Sequence, residues 1–167
     1  DDVAAALEVL HARGLVHRDL KCANIFLDSE GRARLGDFGL AALAGTITTG
    51  GSPYNASPQQ LRGEPAQALD DLYAFGALLY ELIAGHPPYY PEITRDRVLQ
   101  DPVPPLVPRG SVTVGVRELT LRLLAKRPEE RPQSAARVRA MLASAAADDS
   151  GAVQPLVHEV PGLQPRL

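Results

Sequence analysis

Between His17 and Gly39 the chain strings together His17-Arg18-Asp19-Leu20-Lys21-Cys22-Ala23-Asn24, then Ile25-Phe26-Leu27-Asp28, then Gly36-Asp37-Phe38-Gly39. Asp19 and Asp37, Lys21 and Asn24 put two carboxylates, an ammonium and a carboxamide into one short stretch, with a β-prone run and an acidic-glycine turn between Asn24 and Asp37. Ile25-Phe26-Leu27, the turn Asp28 to Gly31 and the returning run Ala33 to Leu35 predict a hairpin with Asn24 at one end and Asp37 at the other. These side chains suit the movement of a phosphoryl group. Such a group spreads negative charge over its oxygens, so catalysis is mostly positioning and electrostatics. It needs magnesium on oxygen ligands, a cation on the phosphates and a carboxylate that orients the attacking hydroxyl. Taken singly, each residue reads as a solvated or capping loop group, and only the joint spacing points to chemistry.

Composition sets loose bounds. A chain of 167 residues with 45% hydrophobic content fits one domain with a modest core, and a net charge of −3 argues against a nucleic-acid surface. A single cysteine excludes an internal disulfide and fits a reducing compartment, so a cytoplasmic location is expected. Cys22 reads as a small apolar filler and not as a nucleophile. No stretch approaches the roughly 20 apolar residues needed to span a bilayer, and nothing resembles a signal peptide.

The spacing H-R-D-L-K-x-x-N followed by D-F-G resembles the catalytic loop and metal-binding motif of protein kinases. Lys21, two places after Asp19, is similar to what serine/threonine-directed, eukaryotic-like members carry. The stretch from Gly51 to Leu61 and the run Asp70-Asp71-Leu72-Tyr73 resemble the bacterial kinases of this class. The resemblance implies ATP and Mg2+ as cofactors. Asp19 would orient the substrate hydroxyl proton, Lys21 would neutralise the γ-phosphate, and Asn24 and Asp37 would hold the metal. It further implies that Phe26 lies under the adenine, that Phe38 of the Asp-Phe-Gly39 turn packs beside His17 in the core, and that His17 is a packing residue. Arg18 would receive a phosphate from the loop that follows.

From Leu40 to Gln60 periodicity is lost, and Gly45, Thr46, Thr48, Thr49, Gly50, Gly51, Ser52 and Pro53 predict a long mobile loop. By resemblance it is an activation segment, with Thr48 and Thr49 as phosphorylation candidates. Ser52 belongs, by resemblance to a G-[ST]-P-x-Y element, to substrate-side structure near Asp19. Ser57-Pro58-Gln59 stands where Ala-Pro-Glu is usual, so Gln59 would meet Arg131 as a weakened form of the family's acid-to-arginine anchor.

Elsewhere the pattern is helical. Asp1 and Asp2 open a helix with Val3, Leu7 and Leu10 at helical spacing, stopped near Gly14. Asp70 to Ala84, with Leu72, Phe75, Leu78, Leu79, Leu82 and Ile83 on more than one face, predicts a buried helix ended by Gly85. Asp71 at its start is either a simple N-cap or, by resemblance, a partner of the catalytic-loop backbone. Short helices are expected over residues 92–100, 112–124 and 134–141, the last capped by Ser134, with Pro102 to Pro108 as a connector. Arg127 to Pro132 resembles a D-P-x-x-R-P turn.

The fold expected is therefore mainly α with a small β-hairpin, the C-terminal lobe of the α+β protein kinase fold. It would cover residues 1–143, with residues 144–167 as a flexible tail or linker. No G-x-G-x-x-G loop is present, which predicts a fragment lacking the N-lobe, inactive by itself, with the N-lobe expected to pack on it. The expected reaction is transfer of the ATP γ-phosphate to Ser or Thr of a protein substrate. Two other readings stand beside it, a catalytically inactive kinase-like binding scaffold and a truncated regulatory module.

Overall fold

A computed structural model describes residues 1–47, 50 and 54–147. Thr48, Thr49 and Ser52, and the tail from residue 148, lie outside the described residues. The elements run α1 (Asp2–His11), β1 (Leu15–Val16), a 3-10 turn (Cys22–Asn24), β2 (Ile25–Leu27), β3 (Ala33–Leu35), β4 (Ala42–Leu43) and α2 (Pro58–Arg62). They continue with α3 (Ala68–Ala84), α4 (Arg95–Gln100), α5 (Val114–Leu123), a second 3-10 turn (Pro128–Glu130) and α6 (Ala135–Ala147).

Helix α3 is the spine, and the sequence shows why. Its apolar residues fall on two faces, so it must bury both. Leu72, Phe75 and Leu78 meet Val3 and Leu7 of α1, Leu119 and Leu123 of α5 and Val138 of α6. On another face Tyr73, Ala77, Tyr80 and Ile83 meet Tyr89, Val98, Leu106 and Leu124. Gly76 is what lets α5 in, because a Cβ there would stand 2.7 Å from the Leu123 Cβ. Leu82, expected in the core, is instead exposed.

Asp70 fills the third position of a capping box with Gln67, its carboxylate taking the Gln67 N–H at 2.9 Å. This starts α3 two residues before the expected Asp70 and leaves Asp71 free of capping duty. The helix expected over 92–100 begins only at Arg95, because the Thr94 side chain caps it by accepting the Arg97 N–H. The helix expected to end at Met141 continues to Ala147, so residues 144–147 are not tail. Ala145 is buried there, close enough to α5 that a Cβ on Gly115 would stand 2.8 Å from its own Cβ.

Two small antiparallel ladders complete the architecture. The expected hairpin is present, with Ile25 opposite Leu35, Phe26 opposite Arg34 and Leu27 opposite Ala33. Its turn is held by Asp28, which accepts from the Glu30 and Arg32 backbone N–H groups at 2.9 Å each. Strand β4 pairs with β1, Leu15 opposite Leu43 and Val16 opposite Ala42, inside the stretch read from sequence as loop. That stretch also ends in α2, whose Ser57 hydroxyl accepts the Gln60 N–H at 3.0 Å and whose C-cap is Gly63 at φ 75°.

Candidate active site

The loop after β1 is pinned from below by one carboxylate. Asp71 Oδ2 accepts the His17 N–H at 2.8 Å, and Oδ1 accepts the Arg18 N–H at 2.8 Å. The same Oδ2 meets His11 Nε2, from the last turn of α1, at 2.8 Å. Two consecutive N–H groups on one carboxylate force a sharp bend, and Arg18 takes the left-handed φ of 71° there. Asp71 is thus a loop holder and not a cap, and His11 is a partner that sequence reasoning missed. Nothing in the spacing of positions 11 and 71 announces that contact.

His17 links this loop to the turn before Asp37. Its Nδ1 accepts the Asp19 N–H at 3.3 Å, which leaves Nε2 to carry the proton directed at the Gly36 carbonyl, 3.1 Å away. The ring is fully buried and meets Phe38 edge-on, with centroids 5.1 Å apart. Phe38 itself is 52% exposed, so the expected neighbour is present but the expected core position is not. The turn it sits on lies at the surface of the described residues, where nothing packs over the far side of the ring.

Above the bend, three polar side chains converge. Lys21 Nζ donates to Asp19 Oδ2 at 2.6 Å, and Asn24 Nδ2 donates to the same Oδ2 at 3.2 Å and to the Asp19 carbonyl at 2.8 Å. Asp19 is buried, Asn24 is buried and Lys21 is half-buried, so this cluster is screened only in part by water. With both Asn24 amide protons engaged, its oxygen remains available for a hard cation. The Asn24 carbonyl accepts the Gly36 N–H at 2.9 Å, which ties the residue before Asp37 to the end of the hairpin that carries Asn24. Asp37 adopts φ 58° and is exposed, with Oδ1 accepting the Gly39 N–H at 3.3 Å.

Among the described residues no group of three or more His, Cys, Asp and Glu side chains could hold a metal by itself. The donor set nonetheless fits magnesium, a cation that takes one or two carboxylates from protein and completes its shell with phosphate oxygens and water. Phe26 is exposed on the hairpin with its ring against Gly36, where a Cβ would stand 2.8 Å from it.

Around this centre lie supports of unequal legibility. Gln59 Oε1 accepts from Arg131 Nη2 at 2.7 Å, the contact expected from the resemblance. Gln60 is new. Its Nε2 donates to the Arg18 carbonyl at 2.9 Å and reaches the Gly50 carbonyl at 3.3 Å, so it bridges the loop and the segment after Asp-Phe-Gly. A side-chain amide between a helix cap and an apolar residue was the only available signal.

Cys22 is exposed, not a buried filler. Its Sγ donates to Glu81 Oε2 at 3.4 Å, and partial burial together with that carboxylate pushes the thiol up to about 11, which keeps it from acting as a nucleophile at neutral pH.

Comparison with known proteins agrees across sequence and fold. The protein kinase domain family matches residues 1–142. The chain is 34% identical over 152 residues to the serine/threonine-protein kinase PknB of Mycobacterium leprae, covering 84% of this chain and 24% of that protein. It is 37% identical over 153 residues to PknB of Mycolicibacterium smegmatis and 37% over 158 residues to a probable PknB of Corynebacterium glutamicum, with the same coverage of 84% and 24%. It therefore spans about a quarter of the length of these relatives. Among solved structures, the Cydia pomonella granulovirus kinase PK-1 superposes with a TM-score of 0.70 at 26% identity, over 81% of this chain and 53% of the viral one. The mainly helical fold with its small hairpin is thus similar to about half of that viral kinase.

Proposed function

The chain belongs to the protein kinase family, and from that premise we propose that it is the C-terminal lobe of a serine/threonine protein kinase that transfers the ATP γ-phosphate to a hydroxyl of a protein substrate. One observation carries the reading. Asp19, Lys21 and Asn24 share a single carboxylate oxygen at 2.6 and 3.2 Å, and a backbone bond ties them to the turn that bears Asp37.

Members of this family use ATP with Mg2+, which supplies charge neutralisation at the phosphates when bound. Asn24 and Asp37 hold the cation through oxygen atoms, and Lys21 neutralises the γ-phosphate as a point charge. Asp19 orients the attacking hydroxyl and takes its proton, a step worth about 10²–10⁴-fold. His17 and Asp71 position this group from below, while Phe26 and Phe38 meet the nucleotide side. Thr48, Thr49 and Ser52 belong to the activation segment, and a phosphate on either threonine would be read by Arg18.

An N-lobe with a glycine-rich loop would pack on this lobe and cover the nucleotide from the hairpin side. No helix among the described residues is long and apolar enough to cross a membrane. The lobe works in the cytoplasm, where ATP and reduced thiols are kept.

The test is incorporation of labelled phosphate into a generic basic protein by the chain extended upstream to its natural start, beside an Asp37→Asn variant. Transfer that disappears in the variant is the expected result. A folded protein that binds nucleotide without transferring phosphate would move the reading to a kinase-like scaffold.

A further inference from the structure

Residues 17–20, which carry Asp19, belong to no helix or strand. No ladder or helical bond fixes this backbone, so side chains from other elements must do it. The need is greatest at Arg18, whose φ of 71° is one that a residue with a Cβ keeps only when its surroundings impose it. The planar peptide unit that follows Arg18 ends on the Cα of Asp19, so the orientation of that plane aims the carboxylate.

One edge of the plane is the Asp19 N–H, which donates to His17 Nδ1 at 3.3 Å, a long bond. The other edge is the Arg18 carbonyl, which accepts from Gln60 Nε2 at 2.9 Å. By length, the stronger hold is the glutamine's. The same amide nitrogen reaches the Gly50 carbonyl at 3.3 Å, so two backbone oxygens face its two protons.

Gln60 in turn stands on a fixed base. Its backbone N–H is taken by the Ser57 hydroxyl at 3.0 Å, Ser57 donates to Asp70 Oδ1 at 2.6 Å, and Asp70 caps α3 through the Gln67 N–H. The next residue, Asp71, holds the Arg18 N–H at 2.8 Å. Both sides of Arg18 therefore trace back to consecutive carboxylates in the first turn of α3, directly through Asp71 and by way of Ser57 and Gln60 from Asp70.

We propose that Gln60 is a positioning residue for phosphotransfer, its carboxamide fixing the peptide plane from which Asp19 reaches the substrate hydroxyl. The inference rests on the phosphotransfer reading above for the reaction served. Lys21 and Asn24 hold Asp19 at its carboxylate, and Gln60 sets where that side chain starts.

A donor is what the position requires. Methionine keeps the length without a donor, glutamate turns a charge against two carbonyl oxygens, and lysine returns donors on a flexible stem. The Ser57 cap uses the backbone of Gln60, so α2 keeps it in all three variants.

The experiment measures transfer from labelled ATP to a generic basic protein by the kinase extended upstream to its natural start, with Gln60→Met, Gln60→Glu and Gln60→Lys beside it. In the first two, kcat is expected to fall about 10²-fold, the scale of a reacting group displaced by about 1 Å, with KM for ATP changed less than about twofold. Gln60→Lys is expected to recover about tenfold of that loss. Amide hydrogen exchange on the same proteins is expected to be faster at Asp19 in Gln60→Met and unchanged along α3.

An unchanged kcat in Gln60→Met would overturn the assignment. So would equal losses in all three variants, which would make side-chain packing and not donation the cause, or a raised KM for ATP at constant kcat. Exchange separates this inference from the reading beneath it. Faster exchange at Asp19 in Gln60→Met, in an enzyme that transfers no phosphate in its unmodified form, keeps the backbone hold and sinks phosphotransfer. Active enzyme with kcat and exchange both unchanged in Gln60→Met does the reverse.

Discussion

At Gln59 a carboxamide makes two bonds of which a carboxylate could make only one. Its Oε1 accepts from Arg131 at 2.7 Å and its Nε2 donates to the Lys126 carbonyl at 3.0 Å. Arg131 also donates to the Ala125 and Leu69 carbonyls, at 2.8 and 2.9 Å, and its guanidinium lies 5.0 Å over the Tyr73 ring. Burial lowers that guanidinium to about 10, so it is still charged at neutral pH. A glutamate would strengthen the first bond but turn an oxygen against the Lys126 carbonyl. The amide is therefore a different anchor, and the sequence-based expectation of a merely weakened one misses the second bond. Gln59→Leu is expected to lower the unfolding free energy by about 1–3 kcal/mol, read as a reduced urea midpoint at unchanged m-value. An unchanged midpoint would mean that the carbonyl bonds of Arg131 hold this corner alone. At this scale the resemblance made Gln59, Arg131 and Asp71 legible. His11 and Gln60 were not, because each acts through a contact set by the tertiary fold that no local pattern encodes.

Among the elements, the long helices were readable and the short ones were not. Helix α3 has enough apolar residues to declare itself, whereas β4 and α2 are two and five residues long and owe their existence to partners far along the chain. Even so, α2 carried a local signature in the cap Ser57, the proline after it and Gly63 beyond its end. The end of α6 was misjudged for a physical reason: an alanine-rich run has strong helix propensity but no periodic contrast. Its last turns are fixed by contact, Ala145 against Gly115. Close approach also governs the α3 and α5 pair at Gly76, where an added methyl would meet Leu123 Cβ at 2.7 Å and the Leu123 carbonyl carbon at 3.2 Å. Alanine there gains about 1 kcal/mol of helix propensity, and overpacking typically costs about 1–3 kcal/mol. Backbone atoms of α5 stand in the way and cannot swing aside as a flexible side chain can, so the second effect wins. Gly76→Ala is expected to lower the melting temperature by several degrees. A rise would show that the two helices separate freely.

On the scale of the whole molecule, apolar exposure is uneven. Six of the thirteen exposed large hydrophobic side chains among the described residues lie between Phe26 and Ile47: Phe26, Leu27, Phe38, Leu40, Leu43 and Ile47. Scattered exposed hydrophobics are ordinary, but Phe26, Leu27, Phe38 and Leu40 fall on the hairpin and the turn that also carry Asn24 and Asp37, with Leu43 and Ile47 on β4 and the segment after it. A nucleotide and a covering lobe on that side would remove these side chains from water, and burial of a phenylalanine is worth about 1.5–3 kcal/mol. Two forms of the protein are therefore expected to respond differently. In the 167-residue chain Phe26 is 57% exposed, so Phe26→Ser is expected to change stability by no more than about 0.5 kcal/mol. In the chain extended upstream to its natural start, the proposed function expects the same substitution to lower stability by about 1–3 kcal/mol and to raise the KM for ATP, since the ring would there be buried between a covering lobe and nucleotide. Paired urea titrations of both forms, with and without the substitution, measure the difference directly. Equal and small effects in the two would show that Phe26 stays in water when the upstream chain is present, and the covering lobe would have to be placed elsewhere.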